Sequence, residues 1–63
     1  MDFKIGSKVR IIPLNMIGYV IYIYEDKCTV TISKNTFAYS DDFLFSELEL
    51  VNWIYIKYII LID

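Results

Sequence analysis

Histidine is missing from this 63-residue sequence, and cysteine occurs only once, at Cys28. A disulfide needs two thiols, and structural zinc sites are usually built from several thiol or imidazole ligands. The sequence therefore predicts neither a disulfide within the chain nor a metal site. A single cysteine also favours a reducing, cytoplasmic location, and residues 1–10 alternate in charge where a signal peptide would need an apolar run.

Glycine and proline are scarce as well, with two glycines and one proline, so no glycine-rich phosphate loop can form. Without histidine, acid–base catalysis would depend on carboxylates, lysine or tyrosine. We interpret the acidic residues Asp41, Asp42, Glu47 and Glu49 as solvated turn and edge residues. Cys28 falls on the apolar face of its predicted strand, which favours a buried, inert thiol. The sequence therefore predicts no enzyme, no catalytic residue and no cofactor.

A basic excess is also lacking, since the formal net charge is −2. Residues 1–40 hold five basic and three acidic residues, whereas residues 41–63 hold one basic and five acidic residues. Proteins that bind phosphate backbones usually carry a basic excess, so a protein partner ranks above nucleic acid. Residues 52–63 are too short for a membrane span, which needs about 20 apolar residues, and carry Lys57 in their middle.

What the sequence does contain is β-branched and aromatic residues, and 57% of it is hydrophobic. Such side chains fit a pleated surface better than a helix. The stretch 16–24 reads MIGYVIYIY and predicts a central strand that is covered on both faces. Further strands are predicted at 8–12, 28–32, 36–40, 49–51 and 52–63, with a 3₁₀ turn at 46–48. The chain is therefore predicted to be a single all-β domain.

Alternation predicts which side chains point into the domain. In residues 8–12, Val9 and Ile11 fall on one face and the basic residues Lys8 and Arg10 on the other. Residues 28–32 alternate in the same way between apolar residues and threonine. The acidic pair at 41–42 is predicted to end the strand at 36–40.

This order of elements resembles a known family. Residues 3–11 read FKIGSKVRI, 17–20 IGYV, 28–32 CTVTI and 46–51 SELELV. Residues 3–51 thus resemble an SH3-like barrel of the KOW and Tudor kind, whose members commonly read G-[DS]-x-V-x-[IV], G-x-V, V-x-V and S-[DE]-L-E. The resemblance implies a small, five-stranded, partly open barrel that binds RNA, DNA, ribosomal surfaces or peptides without catalysis. Two features depart from the pattern: the segments 25–27 and 40–42 are acidic, and residues 52–63 form an added C-terminal strand.

Aromatic residues allow two interpretations. A barrel of this size needs large side chains to fill and cover it, and this structural interpretation is the favoured one. The alternative is a surface for stacking or for an aromatic cage. If a ligand or partner surface exists, we expect it at Tyr19, Tyr22 and Tyr39, next to Lys8 and Arg10.

Residues 52–63 predict self-association. As an extended strand they would present two largely apolar faces, and a small monomer rarely leaves such a surface in water. We therefore expect a homo-oligomer, most simply a dimer. The alternative is a monomer in which these residues complete the barrel. The expected interface residues are Trp53, Tyr55, Lys57, Ile59 and Leu61.

Together these observations predict a small cytoplasmic interaction module that self-associates and binds a protein partner. Its size and its content of Ile, Asn, Tyr and Lys suit an accessory protein of a bacterium, phage or mobile element. The alternative is a KOW-like domain that binds RNA or DNA. That alternative would use the basic residues Lys4, Lys8, Arg10, Lys27 and Lys34.

Overall fold

The computed structural model describes residues 3–34 and 37–51, and the predicted strand at 52–63 lies outside them. The described residues form five strands and one 3₁₀ turn, which confirms the all-β prediction. The elements are β1 (Lys8–Ile11), β2 (Met16–Ile23), β3 (Lys27–Lys34), β4 (Phe37–Leu44), the 3₁₀ turn (Phe45–Glu47) and β5 (Leu48–Leu50). They form one antiparallel sheet in the order β4-β3-β2-β1-β5.

One face of this sheet forms the core, and alternation places its side chains. Val9 and Ile11 in β1 are buried, whereas Lys8 and Arg10 are only partly buried, as predicted. In β3 the residues at every second position are buried, and Thr29 and Thr31 face the other way. The buried core residues are Val9, Ile11, Val20, Cys28, Val30, Ile32, Phe43 and Leu48.

The 3₁₀ turn shows that the sheet is strongly coiled. The Phe45 N–H donates to the Asp26 carbonyl oxygen (3.3 Å), and the Ile12 N–H donates to the Glu47 carbonyl oxygen (2.8 Å). In a flat sheet Ile12 and Asp26 would lie at opposite ends of β2, about 25 Å apart along the strand. Three residues reach at most roughly 10 Å, so the turn can join these two ends only if the sheet curls. The fold is therefore a small, partly open barrel.

A β-bulge interrupts the pairing of the central strand. Val20 pairs with Val30 and Tyr22 with Thr29, so Ile21 is an extra residue in β2. A bulge increases local twist and shifts the alternation of side chains by one position. Residues before and after Ile21 that would otherwise point to opposite faces therefore point to the same face.

Two predictions about individual strands are wrong. β4 does not end before the acidic pair but runs through Asp41 and Asp42. Its continuation is supported by β3, because Thr29 Oγ1 donates to Asp42 Oδ1 at 2.6 Å. β2 is not covered on both faces by the described residues, since Tyr19 is 46% exposed and Tyr22 is 57% exposed.

The predicted 3₁₀ turn and closing strand are confirmed, each starting one residue earlier than expected. Glu47 holds the turn, because its carboxylate accepts the Leu44 N–H at 2.9 Å. Within the described residues, no helix has the length and apolar character needed to cross a membrane.

Candidate binding surface

Three exposed tyrosines lie in β2 or directly after it, on the side opposite the core. We call Tyr19, Tyr22 and Tyr24 the tyrosine face. Tyr19 pairs with Thr31 and Tyr22 with Thr29, and both threonines point away from the core. The rings of Tyr22 and Tyr24 contact each other, with centroids 5.0 Å apart. These side chains present a broad aromatic surface to solvent.

The bulge in β2 assembles this tyrosine face. Tyr19 and Tyr22 are three positions apart, and in a regular strand they would project from opposite faces. The extra residue Ile21 restores them to the same face. One irregularity of the backbone thus brings Tyr19 to the side of Tyr22 and Tyr24, from which strict alternation would separate it.

Charged residues flank the tyrosine face at both ends. Lys8 lies directly opposite Tyr19 in the β1–β2 register. At the other end, Lys27 Nζ is 5.3 Å from the ring centroid of Tyr24 and 3.8 Å from Asp42 Oδ2. A lysine at this distance from a ring makes a favourable cation–π contact. The surface therefore combines aromatic rings with charges of both signs.

Arg10 also lies on the outer face, but its guanidinium already contacts other side chains of the same domain. It forms an ion pair with Glu49 of β5, and its Nη1 donates to Asn15 Oδ1 at 3.0 Å. Asn15 has a positive φ of 52° in the turn between β1 and β2, a conformation that asparagine tolerates. Arg10 thus ties β1 to β5 and to this turn, which leaves it less available to a ligand than the sequence suggested.

Tyr39 is separated from the other predicted site residues. It pairs with Ile32, which belongs to the core, so Tyr39 lies on the core side of the sheet. Although it lies opposite this buried residue, Tyr39 is 46% exposed. The structure therefore brings together Lys8, Arg10, Tyr19 and Tyr22 and places Tyr39 on the opposite face.

Sequence reasoning missed Tyr24 and Asp42 as members of this surface, and it named Lys27 only for the nucleic-acid alternative. The spacing of Tyr22 and Tyr24 is two residues, which was a usable signal that they share a face. Asp42 had no such signal, because its place beside Lys27 depends on the pairing of β3 with β4. The expected interface residues Trp53, Tyr55, Lys57, Ile59 and Leu61 lie outside the described residues.

The surface is suited to binding by stacking and ion pairing. Cys28 does not have the properties of a reactive nucleophile, because its side chain is fully buried in the core and burial raises the pKa of its thiol. Among residues 3–34 and 37–51, no three acidic, cysteine or histidine side chains group as metal ligands would.

Comparisons with protein-family models, with curated proteins and with solved structures find no match to this chain.

Proposed function

We propose that this protein is a small, non-catalytic interaction module that binds a protein partner through the tyrosine face and self-associates through residues 52–63. The observation that carries the first part is the exposure of Tyr19, Tyr22 and Tyr24 on one face. Tyrosine is enriched in protein interfaces and at the residues that dominate their affinity. The resemblance to KOW and Tudor barrels agrees with a binding role.

A protein partner is favoured over nucleic acid by the charges around this face. Two of the cations beside the rings already have anionic neighbours, since Lys27 lies near Asp42 and Arg10 pairs with Glu49. The formal net charge of the chain is −2. A surface with both signs of charge supports directional pairing with a protein, whereas a phosphate backbone would be repelled by the carboxylates.

Affinity capture with matched variants tests the tyrosine face. The double variant Tyr19→Ser, Tyr22→Ser removes two rings from it, and Tyr39→Ser removes a similarly exposed ring from the opposite face. We expect a protein captured by the wild type and by Tyr39→Ser to be lost with the double variant. Equal capture of that protein by all three would contradict a role for this face.

Self-association is supported by the sequence of residues 52–63, which is apolar on both faces of an extended strand. In solution we expect a mass of two chains, each of 7.5 kDa. The variant Ile59→Lys, Leu61→Lys places charges in the proposed interface, and we expect light scattering to show a monomer. An unchanged mass would place the interface elsewhere.

Nucleic-acid binding is the second candidate, because Lys8 and Lys27 lie beside the rings of Tyr19 and Tyr24. Aromatic rings with flanking cations are used to stack bases and hold phosphates. Binding to single-stranded RNA should then weaken steeply with salt and depend on Tyr19. Absence of binding at low salt would remove this candidate.

The proposed setting is the cytoplasm of a bacterial cell, where the protein would act as an accessory protein of the cell, a phage or a mobile element. The single thiol fits a reducing compartment. The composition, rich in Ile, Asn, Tyr and Lys, fits an AT-rich genome.

A further inference from the structure

Strand β4 forms one edge of the described sheet. It pairs with β3 over eight consecutive residue pairs without a bulge, and no other described strand pairs with it. Seven of its eight residues are exposed, and only Phe43 is buried. A long, regular edge strand offers its outward backbone groups to another chain unless something blocks them.

The hydrogen bonds at one end of β4 show which backbone groups point outward. The Asp42 N–H donates to Asp41 Oδ1 at 2.8 Å, and the Leu44 N–H donates to Glu47 Oε1 at 2.9 Å. These N–H groups therefore point away from β3. In an antiparallel pair the direction alternates along the strand, so the backbone groups of Ala38 and Ser40 also point outward.

The edge thus has a blocked half and an open half. Carboxylates cap the outward N–H groups of Asp42 and Leu44, whereas no described residue caps those of Ala38 and Ser40. We call residues 37–40 the open edge. Phe37 within it is 74% exposed, so the open edge offers both backbone donors and apolar surface.

We infer that residues 52–63 of a second copy add to the open edge as an antiparallel strand. This inference rests on the proposed self-association and names the surface that receives it. Residues 52–63 contain no proline, so every residue has a backbone N–H to donate, and most are β-branched or aromatic. Their only basic residue, Lys57, complements the acidic pair that follows the open edge in β4.

A single register satisfies the charges and the apolar residues together. When Lys57 is placed beside Asp41, antiparallel pairing puts Ile59 beside Tyr39 and Leu61 beside Phe37. The same register sets the residues next to Ile59 opposite Ala38 and Ser40, whose backbone groups point outward. In this one register, opposite charges lie beside each other and apolar side chains lie beside apolar side chains.

The direction of the chain favours a second copy over the same chain. The Val51 N–H donates to the Lys8 carbonyl oxygen at 2.9 Å, so the chain leaves the sheet beside β1, at the edge opposite β4. β5 runs in the same direction as β4, because three antiparallel pairings separate β4 from β1 and one more leads to β5. Antiparallel pairing of residues 57–61 with β4 of the same chain would need the chain to reverse its direction within residues 52–56, whereas a second copy can supply the strand without that reversal. Reciprocal exchange between two copies would give a closed dimer.

Mixing two variants that each carry one added cysteine tests the contact between copies. Tyr39→Cys and Ile59→Cys proteins are combined and mildly oxidised, and we expect a disulfide-linked pair containing one chain of each. The matched control replaces Tyr39→Cys with Tyr19→Cys, whose thiol lies on the opposite face, and should give little linkage. Native Cys28 is fully buried and contributes equally to both mixtures.

A second pair of variants tests the backbone donor without a new thiol. Ser40→Pro removes the outward N–H and leaves the bonds to β3, whereas Ser40→Ala keeps the N–H. We expect the dimer of Ser40→Pro to dissociate about tenfold more readily than that of Ser40→Ala. Circular dichroism must show a folded sheet in both variants. If Ser40→Pro unfolds, the disulfide experiment with Tyr39→Cys and Ile59→Cys becomes the test of the proposed contact.

The outcomes separate this inference from the proposed function. A dimeric wild type with no specific linkage between Tyr39→Cys and Ile59→Cys would overturn the open edge as the receiving surface and leave self-association standing. Linkage only within one chain of the double variant Tyr39→Cys, Ile59→Cys would assign residues 52–63 to their own barrel. A monomeric wild type would overturn both proposals.

Discussion

Gly18 occupies a position where β2 passes too close to β3 for any side chain. A Cβ at this position would lie 2.5 Å from Val30 Cγ1 and 2.7 Å from the Thr31 carbonyl oxygen. The oxygen belongs to the backbone of β3, so it cannot move without disturbing the pairing of the strands. We expect Gly18→Ala to lower the free energy of unfolding by about 1–3 kcal/mol, measured by chemical denaturation.

Gly6 provides the contrasting case, because no atom lies within 4 Å of the place where its Cβ would be. Its φ of +92° is instead a conformation that side chains disfavour. Gly6→Asn should therefore be milder than Gly6→Ala, since asparagine tolerates positive φ. Gly18→Asn should be at least as harmful as Gly18→Ala. Equal stability of the wild type and Gly18→Ala would show that the two strands are less closely packed.

Because of Cys28, the free energy of unfolding should decrease at alkaline pH. Burial raises the pKa of the folded thiol above its ordinary value of 9.0. Above that value the unfolded chain loses the thiol proton while the folded chain keeps it, so ionisation favours unfolding. Stability from this group is thus complete below pH 9.0 and declines as the pH rises toward the folded pKa.

Comparison with Cys28→Ala isolates this effect from the titration of lysine and tyrosine. The free energy of unfolding of the wild type should fall more steeply between pH 8 and 10, by at most about 1.4 kcal/mol per pH unit. Chemical denaturation at several pH values measures both slopes. Parallel slopes would mean that the thiol is not protected in the folded state.

At the scale of the elements, Arg10 connects parts of the barrel that are distant in the sequence. Its ion pair with Glu49 links β1 to β5, and its hydrogen bond to Asn15 fixes the turn before β2. The side chains of Arg10 and Glu49 are 34% and 49% exposed, so water and salt screen the pair. A double-mutant cycle with Arg10→Gln and Glu49→Gln should give a coupling of about 0.2–1 kcal/mol, which decreases in high salt.

A coupling free energy above this range that does not change with salt concentration would contradict the prediction. It would indicate a buried ion pair, whereas both side chains are partly exposed. The pair of Lys27 and Asp42 is a useful control, because its atoms are 3.8 Å apart and its side chains are similarly exposed. It should give a smaller coupling, since the longer separation has no hydrogen bond.

The sequence predicted most strands because their evidence is local. Alternation in residues 8–11 and 28–32 identified the core side chains, and the S-x-L-E stretch located the closing turn and strand. The extent of β4 could not be predicted, because the support for Asp42 comes from Thr29 on another strand. The bulge at Ile21 could not be predicted either, since it arises from register with β3, and it decides which tyrosines share a face.

At the scale of the whole molecule, the described residues form a barrel with a core of eight buried side chains. A domain of this length buries only roughly 60% of the surface of its unfolded chain, so its stability alone is marginal. Exposed large hydrophobic residues are numerous on the described surface, including Phe37 at the open edge and Tyr22 on the tyrosine face. Assembly would cover part of this surface and stabilise the fold by mass action.

The candidate site was predictable only in part, because the pairing between strands decides which of its residues share a face. Lys8, Arg10 and Tyr19 follow from alternation within β1 and β2, and the structure places them on one face. Tyr39 could not be assigned to a face from its own strand, because β4 was expected to end earlier and its register with Ile32 was unknown.

Sedimentation equilibrium of the intact wild-type protein over a wide range of concentrations tests self-association most directly. We expect the mass of two 7.5 kDa chains at high concentration and a reversible decline toward one chain on dilution. A mass of 7.5 kDa at every concentration would contradict self-association and with it the exchange of residues 52–63.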